Sequence, residues 1–119
     1  MIRTSYFGRL RGSGMSERAV SLTIQQPPKF KLPVCMDLAP SLGLYYKFRH
    51  KKISEAKFAQ LYRMQLDLLD PDQIAREMDG KILVSWEGYE DRKKTRLAFS
   101  HRHIVAEWLR AAGHECAEL

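Results

Sequence analysis

The chain has 119 residues, 45% of them hydrophobic and 29% charged, which is enough apolar material for one core and one domain spanning 1–119. No apolar run approaches the ~18 residues of a membrane span, and the N-terminus lacks the charged-then-apolar plan of a signal peptide, so a cytoplasmic protein with no membrane partner is expected. The net charge of +6 permits a polyanionic partner such as nucleic acid. Cys35 and Cys116 are far apart with no Cys-x-x-Cys spacing, which argues against a disulfide framework or zinc knuckle.

Ile2 to Phe7, rich in β-branched and aromatic residues, predicts a first strand. Gly8 to Gly14 then reads as a loop with two arginines. Its glycines fit neither a dinucleotide fingerprint nor a P-loop, so no cofactor is expected. The loop is a flexible connector or, on a sharper reading, a backbone and arginine grip on an anion. Ala19 to Ile24 alternates apolar and polar residues, as a half-buried strand does. Pro27-Pro28 stops it, and Gln25 to Pro40, with four of the five prolines, reads as an extended crossing segment.

Pro40 is placed to open a short helix over Ser41 to Phe48. That helix runs into Tyr45-Tyr46-Lys47-Phe48-Arg49-His50-Lys51-Lys52, where aromatics interleave with cations. Tyr46, Lys47, Arg49, Lys51 and Lys52 are thereby candidate nucleic-acid contacts, since rings stack on bases while cations hold phosphates. The plainer reading puts the aromatics in the core and the cations in water, and Leu44, Tyr45 and Phe48 do share a helical face.

Ser54 is placed to cap the next helix, whose stripe is Phe58, Leu61, Tyr62, Gln65, Leu68 and Leu69. Asp70-Pro71-Asp72-Gln73 restarts a helix with a cap, a first-position proline and a capping-box pattern. Ile74, Ala75 and Met78 face inward and Gly80 closes it. The stretch Lys81 to Glu87 contains Ile82-Leu83-Val84, apolar without alternation, the mark of a central parallel strand covered on both faces. Asp91 to Arg96 reads as a solvated, charged loop. A last helix follows from Ser100, with Ile104, Val105, Trp108, Leu109 and Ala112 inward, and Glu115 to Leu119 adds a short final strand exposed to fraying. The order predicts a single three-layer α/β domain with a small, mainly parallel sheet and helices on both faces.

In such sheets ligands sit at the carboxyl ends of strands, where helix N-termini point. Ser85 and Glu87 end the central strand, and Ser100, His101, Arg102 and His103 open the last helix. With Tyr6 as a wall, Ser85, Glu87, Ser100, His101 and Arg102 form the candidate ligand site for a phosphate or carboxylate group. The catalytic candidates are His101, His103 and Glu87, with His103 better spaced than His101 to serve Ser100 as a base. Ser100 is most simply the helix N-cap, and Glu87 a partner for Arg102 or His101. An i,i+2 histidine pair diverges on a helix, so no metal site is expected.

These segments resemble an uncharacterised family, domain of unknown function 488. The resemblance runs through Thr4-Ser5-Tyr6-Phe7, Val20-Ser21-Leu22-Thr23, Leu38-Ala39-Pro40 and Phe58 to Tyr62. It is most specific at Ile82-Leu83-Val84-Ser85-Trp86-Glu87 and at Ser100-His101-Arg102-His103-Ile104-Val105-Ala106-Glu107-Trp108-Leu109. The family pattern has Leu-Leu-Cys-aromatic-Glu and then Cys-His-Arg, so both family cysteines are serine here, at Ser85 and Ser100. The resemblance implies an α/β fold and supplies no reaction or substrate. The expected function is binding of a phosphate-bearing ligand, a nucleotide or nucleic acid, at a helix N-terminus. The alternatives are an enzyme on such substrates using His101 and His103, and a module or inhibitor docking an acidic protein surface.

Overall fold

The computed structural model describes residues 1–119. Strands β1 (Ile2–Tyr6), β2 (Ala19–Ser21), β3 (Ile82–Ser85) and β4 (Cys116–Glu118) form one sheet in the order β2-β3-β1-β4, every pair parallel. The helices are α1 (Phe7–Leu10), α2 (Leu42–Arg49), α3 (Glu55–Leu66), α4 (Pro71–Glu77) and α5 (His101–Ala111). This is the single α/β domain expected, with an entirely parallel sheet. No helix is long and apolar enough to cross a membrane.

The two faces are covered unequally. The larger core places Ile2, Val20, Leu22 and Leu83 against Phe58, Tyr62 and Leu66 of α3, Ile74 of α4 and Ile104, Val105 and Leu109 of α5. The opposite face buries Ile82 and Val84 under Phe7 and Leu10 of the one-turn α1, with Phe30 and Leu32 of the proline-rich segment beside them. One face therefore carries a full helical layer, and the other a single helical turn and extended chain. Ile82, Leu83 and Val84 are all buried, as an apolar run without alternation requires of a strand between two layers.

Several boundaries differ from expectation for local reasons. Phe7 leaves the strand and begins α1, so part of the glycine loop is helical. β2 is three residues long and buried throughout rather than half-buried. It ends because Ser21 Oγ donates to Thr23 O (2.6 Å) and accepts from Thr23 N (3.1 Å), drawing the backbone out of the ladder. Pro40 stands before α2 rather than in it, and Ser41 is the cap, accepting from Leu44 N at 3.3 Å. Ser54 and Asp70 cap α3 and α4 as expected, through Lys57 N and Asp72 N. Gln73 makes no return bond to the cap and donates instead to Glu77. Leu68 is 87% exposed and Ala112 is exposed, so neither joins its stripe, while Leu66 and Ala106 do.

The one polar residue in the α3 stripe has a function in the fold. Gln65 donates to Ala39 O (2.7 Å) and accepts from Ser41 N (3.1 Å). It thereby pins the start of α2 to α3 and fixes the edge of the groove described below. β4, although short, is held at three register positions against β1 and by the side chain of Glu118.

Candidate functional site

β1 and β3 are adjacent and parallel, with Tyr6 opposite Ser85 at their carboxyl ends. The connection leaving β1 crosses the smaller core and the one leaving β3 crosses the larger core. Adjacent strands with connections on opposite faces make a crevice, the usual place for a ligand in an open α/β sheet. Here a side chain of the protein itself fills it. Arg102, the second residue of α5, is fully buried and lays its guanidinium over the Tyr6 ring, with Cζ 5.5 Å from the centroid.

The hydrogen bonds around Arg102 run in one direction. Its Nη1 donates to Ser85 Oγ at 2.9 Å, and Ser100 Oγ donates to Glu87 Oε1 at 2.9 Å. A guanidinium only donates, and a hydroxyl has one proton to give. The 2.6 Å contact between the two serine hydroxyls must therefore be donated by Ser85 to Ser100. The chain Arg102, Ser85, Ser100, Glu87 starts on a cation and ends on a carboxylate, so each link polarises the next. The other side of the guanidinium is taken by Glu118, through Nε to Oε1 (3.0 Å) and Nη2 to Oε2 (2.9 Å), while Thr4 donates to the same carboxylate at 2.7 Å. Arg102 Nη1 also donates to the main-chain oxygen of Glu87.

The structure thus brings Tyr6, Ser85, Glu87, Ser100 and Arg102 together. Ser100 is the N-cap by position, but its hydroxyl makes no capping bond and is spent on Ser85 and Glu87. Glu87 meets Arg102 through its backbone, not its carboxylate. Thr4 and Glu118, absent from the sequence-derived set, complete the network. Glu118 sits at a strand end with no local motif, and only the pairing of β4 with β1 delivers it.

His101 points away from this network. Its Nε2 lies 2.9 Å from Leu22 O, which can only accept, so the proton is on Nε2. Tyr62 meets the imidazole edge-on at 5.6 Å, and Tyr45 and Phe58 complete an aromatic enclosure. Burial is the main cause holding the His101 imidazole below its ordinary pKa, outweighing the Leu22 bond and the Glu87 charge that favour protonation. His103 is also pushed down by burial, then by the Arg102 charge, and its buried Nε2 has no partner. Neither ring hydrogen-bonds Ser100. No cluster of three or more His, Cys, Asp or Glu side chains is arranged to hold a metal ion.

The histidines make stability pH-dependent. Their unfolded pKa is about 6.5 and their folded pKa lower, so the unfolded chain binds more protons in between. Their contribution is complete above about pH 6.5 and is lost as pH falls through that window, at up to about 1.4 kcal/mol per pH unit for His101. Urea midpoints should fall between about pH 7.5 and pH 5.5, and His101→Phe should flatten the fall. An equally steep fall in His101→Phe would assign the pH dependence elsewhere.

The open space lies beside the network. A groove of about 580 Å³ is lined by Thr23, Ile24 and Gln25 after β2, by Trp86 after β3, and by Pro40, Leu42, Gly43, Tyr45, Tyr46, Arg49 and His50 along α2. It opens at the carboxyl ends of β2 and β3, against the N-terminal turn of α2. Trp86 is held in place there, its Nε1 donating to Gln25 O at 2.8 Å and its ring packed on Phe7 at 5.7 Å. Tyr46 carries His50 on one side at 4.1 Å and Lys52 at 5.3 Å, and Arg49 lies 6.0 Å from the Tyr45 ring. Of the α2 candidates, Tyr46 and Arg49 line the groove, Lys52 borders it through Tyr46, and Lys47 and Lys51 are exposed outside its lining. Trp86, Gln25 and His50 were missed as site residues. Trp86, directly after a buried strand, was the available signal. A scan against protein-family models gave no match, and searches among curated proteins and among solved structures gave none.

Proposed function

We propose that the chain binds a phosphate-bearing ligand, a nucleotide or nucleic acid, in the groove between Trp86 and α2. The observation that carries this is one open groove at the carboxyl ends of parallel strands that combines exposed aromatic rings with Arg49 and His50, with Lys52 beside its Tyr46 ring. Rings offer faces to a base, Arg49 and Lys52 hold phosphate, and the α2 N-terminal turn adds main-chain N–H groups. The buried Arg102 network is then the support that fixes β3, Glu87 and the start of α5, rather than the anion contact itself. The net charge of +6 favours the same class of ligand. This reading suits a cytoplasmic protein.

We also propose kinship with domain of unknown function 488. Its support is that the two most specific resembling segments, around Ser85 and around Ser100, are the two joined side chain to side chain.

The test is fluorescence anisotropy with labelled mononucleotides and oligonucleotides at two salt concentrations. Wild type should bind, more weakly at higher salt. Tyr46→Ala should cost about 1–3 kcal/mol, roughly 5- to 150-fold, if its ring stacks on a base, and Arg49→Ala should weaken binding and shallow the salt dependence. Failure of every labelled nucleotide and oligonucleotide to bind at low salt rejects the reading. Capture of an acidic protein, lost on changing Lys51 and Lys52, would replace it with the docking alternative.

A further inference from the structure

A second hollow, of about 540 Å³, opens on the same edge of the sheet, lined by Tyr6, Gly8, Arg9, Tyr89, Asp91, Arg92 and Lys94. It lies at the carboxyl ends of β1 and β3, next to the groove at the ends of β2 and β3. The two are joined by the loop that leaves β3. Trp86 borders the first and Tyr89 the second, and three residues of chain span at most about 11 Å.

This loop is built to present cations. The Asp91 carboxylate accepts from Thr95 N (3.0 Å), Arg96 N (3.2 Å) and the Thr95 hydroxyl, and Lys94 N donates to Asp91 O at 3.2 Å. The one acid in the hollow is thereby engaged in shaping the turn, which leaves Arg92 and Lys94 exposed in the same hollow as Arg9. Tyr89 stands edge-on to Tyr6 at 5.9 Å, and Tyr6 is backed by Arg102. Gly88 permits this packing, because a Cβ there would fall 2.7 Å from the Tyr6 ring.

Along this edge Tyr46, Trp86 and Tyr89 are 51%, 39% and 37% exposed, interleaved with Arg49, Arg92 and Lys94. A single phosphate needs only one of the two hollows. A duplex has its bases already stacked and makes no use of exposed rings. We infer that this edge is a track for single-stranded nucleic acid, with bases against Trp86 and Tyr89 and successive phosphates shared between the Arg49 groove and the Arg9, Arg92 and Lys94 hollow. This rests on the groove reading above and extends it from a nucleotide to a strand.

The test uses labelled AMP, a labelled oligothymidylate of about 12 nucleotides and the same strand in duplex form, on wild type and an Arg9→Ala/Arg92→Ala/Lys94→Ala variant. Single-strand affinity should fall about tenfold or more, and its log–log salt slope should become shallower by about 2, as three lost phosphate contacts require. AMP, which reads the groove alone, should bind both proteins equally. An oligothymidylate affinity and salt slope unchanged in the variant, with AMP still bound, would overturn the track and leave the groove. Duplex binding as tight as single-strand binding would overturn the strand assignment. If neither AMP nor oligothymidylate binds wild type, the groove reading falls and the track with it.

Discussion

Glu118→Ala should destabilise the protein by about 3–5 kcal/mol, the cost of removing one partner from a buried ion pair. Arg102 has no exposed side-chain surface, and Glu118 supplies both oxygens to its Nε and Nη2. Without that carboxylate the guanidinium stays buried with Ser85 Oγ and the Glu87 carbonyl as acceptors, and the Thr4 hydroxyl loses its acceptor as well. Glu118 is 22% exposed, so water can reach part of the vacated space, and the loss should fall toward the lower end of the range. Urea or guanidinium unfolding of the two proteins at neutral pH measures it. A loss below about 1 kcal/mol would show that the pair is solvated like a surface bridge. The double variant Arg102→Met/Glu118→Leu separates the charge from the position: with no ion left to desolvate, it should be more stable than Glu118→Ala alone.

That pair also shows where sequence reading reaches its limit. Local patterns carried the scaffold: Ser54 and Asp70 are caps because their side chains meet N–H groups three and two residues on, respectively, and Ile82-Leu83-Val84 is a central strand because an unbroken apolar run needs two buried faces. The site depended on contacts with no local signature. Ser100 has the residue type and position of an N-cap, yet its hydroxyl donates to Glu87 and accepts from Ser85, 15 residues away in sequence. Arg102 at a helix start looks like an anion receptor, but Glu118 satisfies it 16 residues away in sequence once β4 pairs with β1. His101 has the chemistry of an acid–base group, but Tyr62, Phe58 and Tyr45 arrive from other helices and enclose it. The groove was half legible, in Tyr46 and Arg49, because one helix carries them. Its other wall, Gln25 and Trp86, exists only because β2 and β3 are neighbours.

The Ser85–Ser100 contact gives a second large effect. The Ser85 and Ser100 Oγ atoms are 2.6 Å apart, on a buried strand end and at the head of α5. Side chains already in contact across two rigid elements have little to move to form a disulfide. Ser85→Cys/Ser100→Cys should therefore oxidise to a crosslink. It would close the loop that carries Trp86, Tyr89, Arg92 and Lys94, a loop of about 15 residues, for which the chain-entropy estimate is about 3 kcal/mol. Two effects oppose this: the Arg102 Nη1 bond to Ser85 is lost, and Glu87 loses the Ser100 hydroxyl. The reduced double variant should therefore be less stable than wild type and the oxidised one more stable than the reduced. Thiol titration in denaturant should find only Cys35 and Cys116 free after oxidation, and unfolding with and without reductant gives the difference. Failure to crosslink under mild oxidant would mean that the two β-carbons are held farther apart than a disulfide allows. A crosslinked variant no more stable than wild type would mean that the hydroxyl chain contributes as much to the native state as the closed loop removes from the unfolded one. In the oxidised form, the loop between the two hollows is tethered at both ends while every proposed contact residue is unchanged. Oligonucleotide affinity should then hold or rise if the strand track needs that loop ordered, and fall if the loop must open to admit the strand.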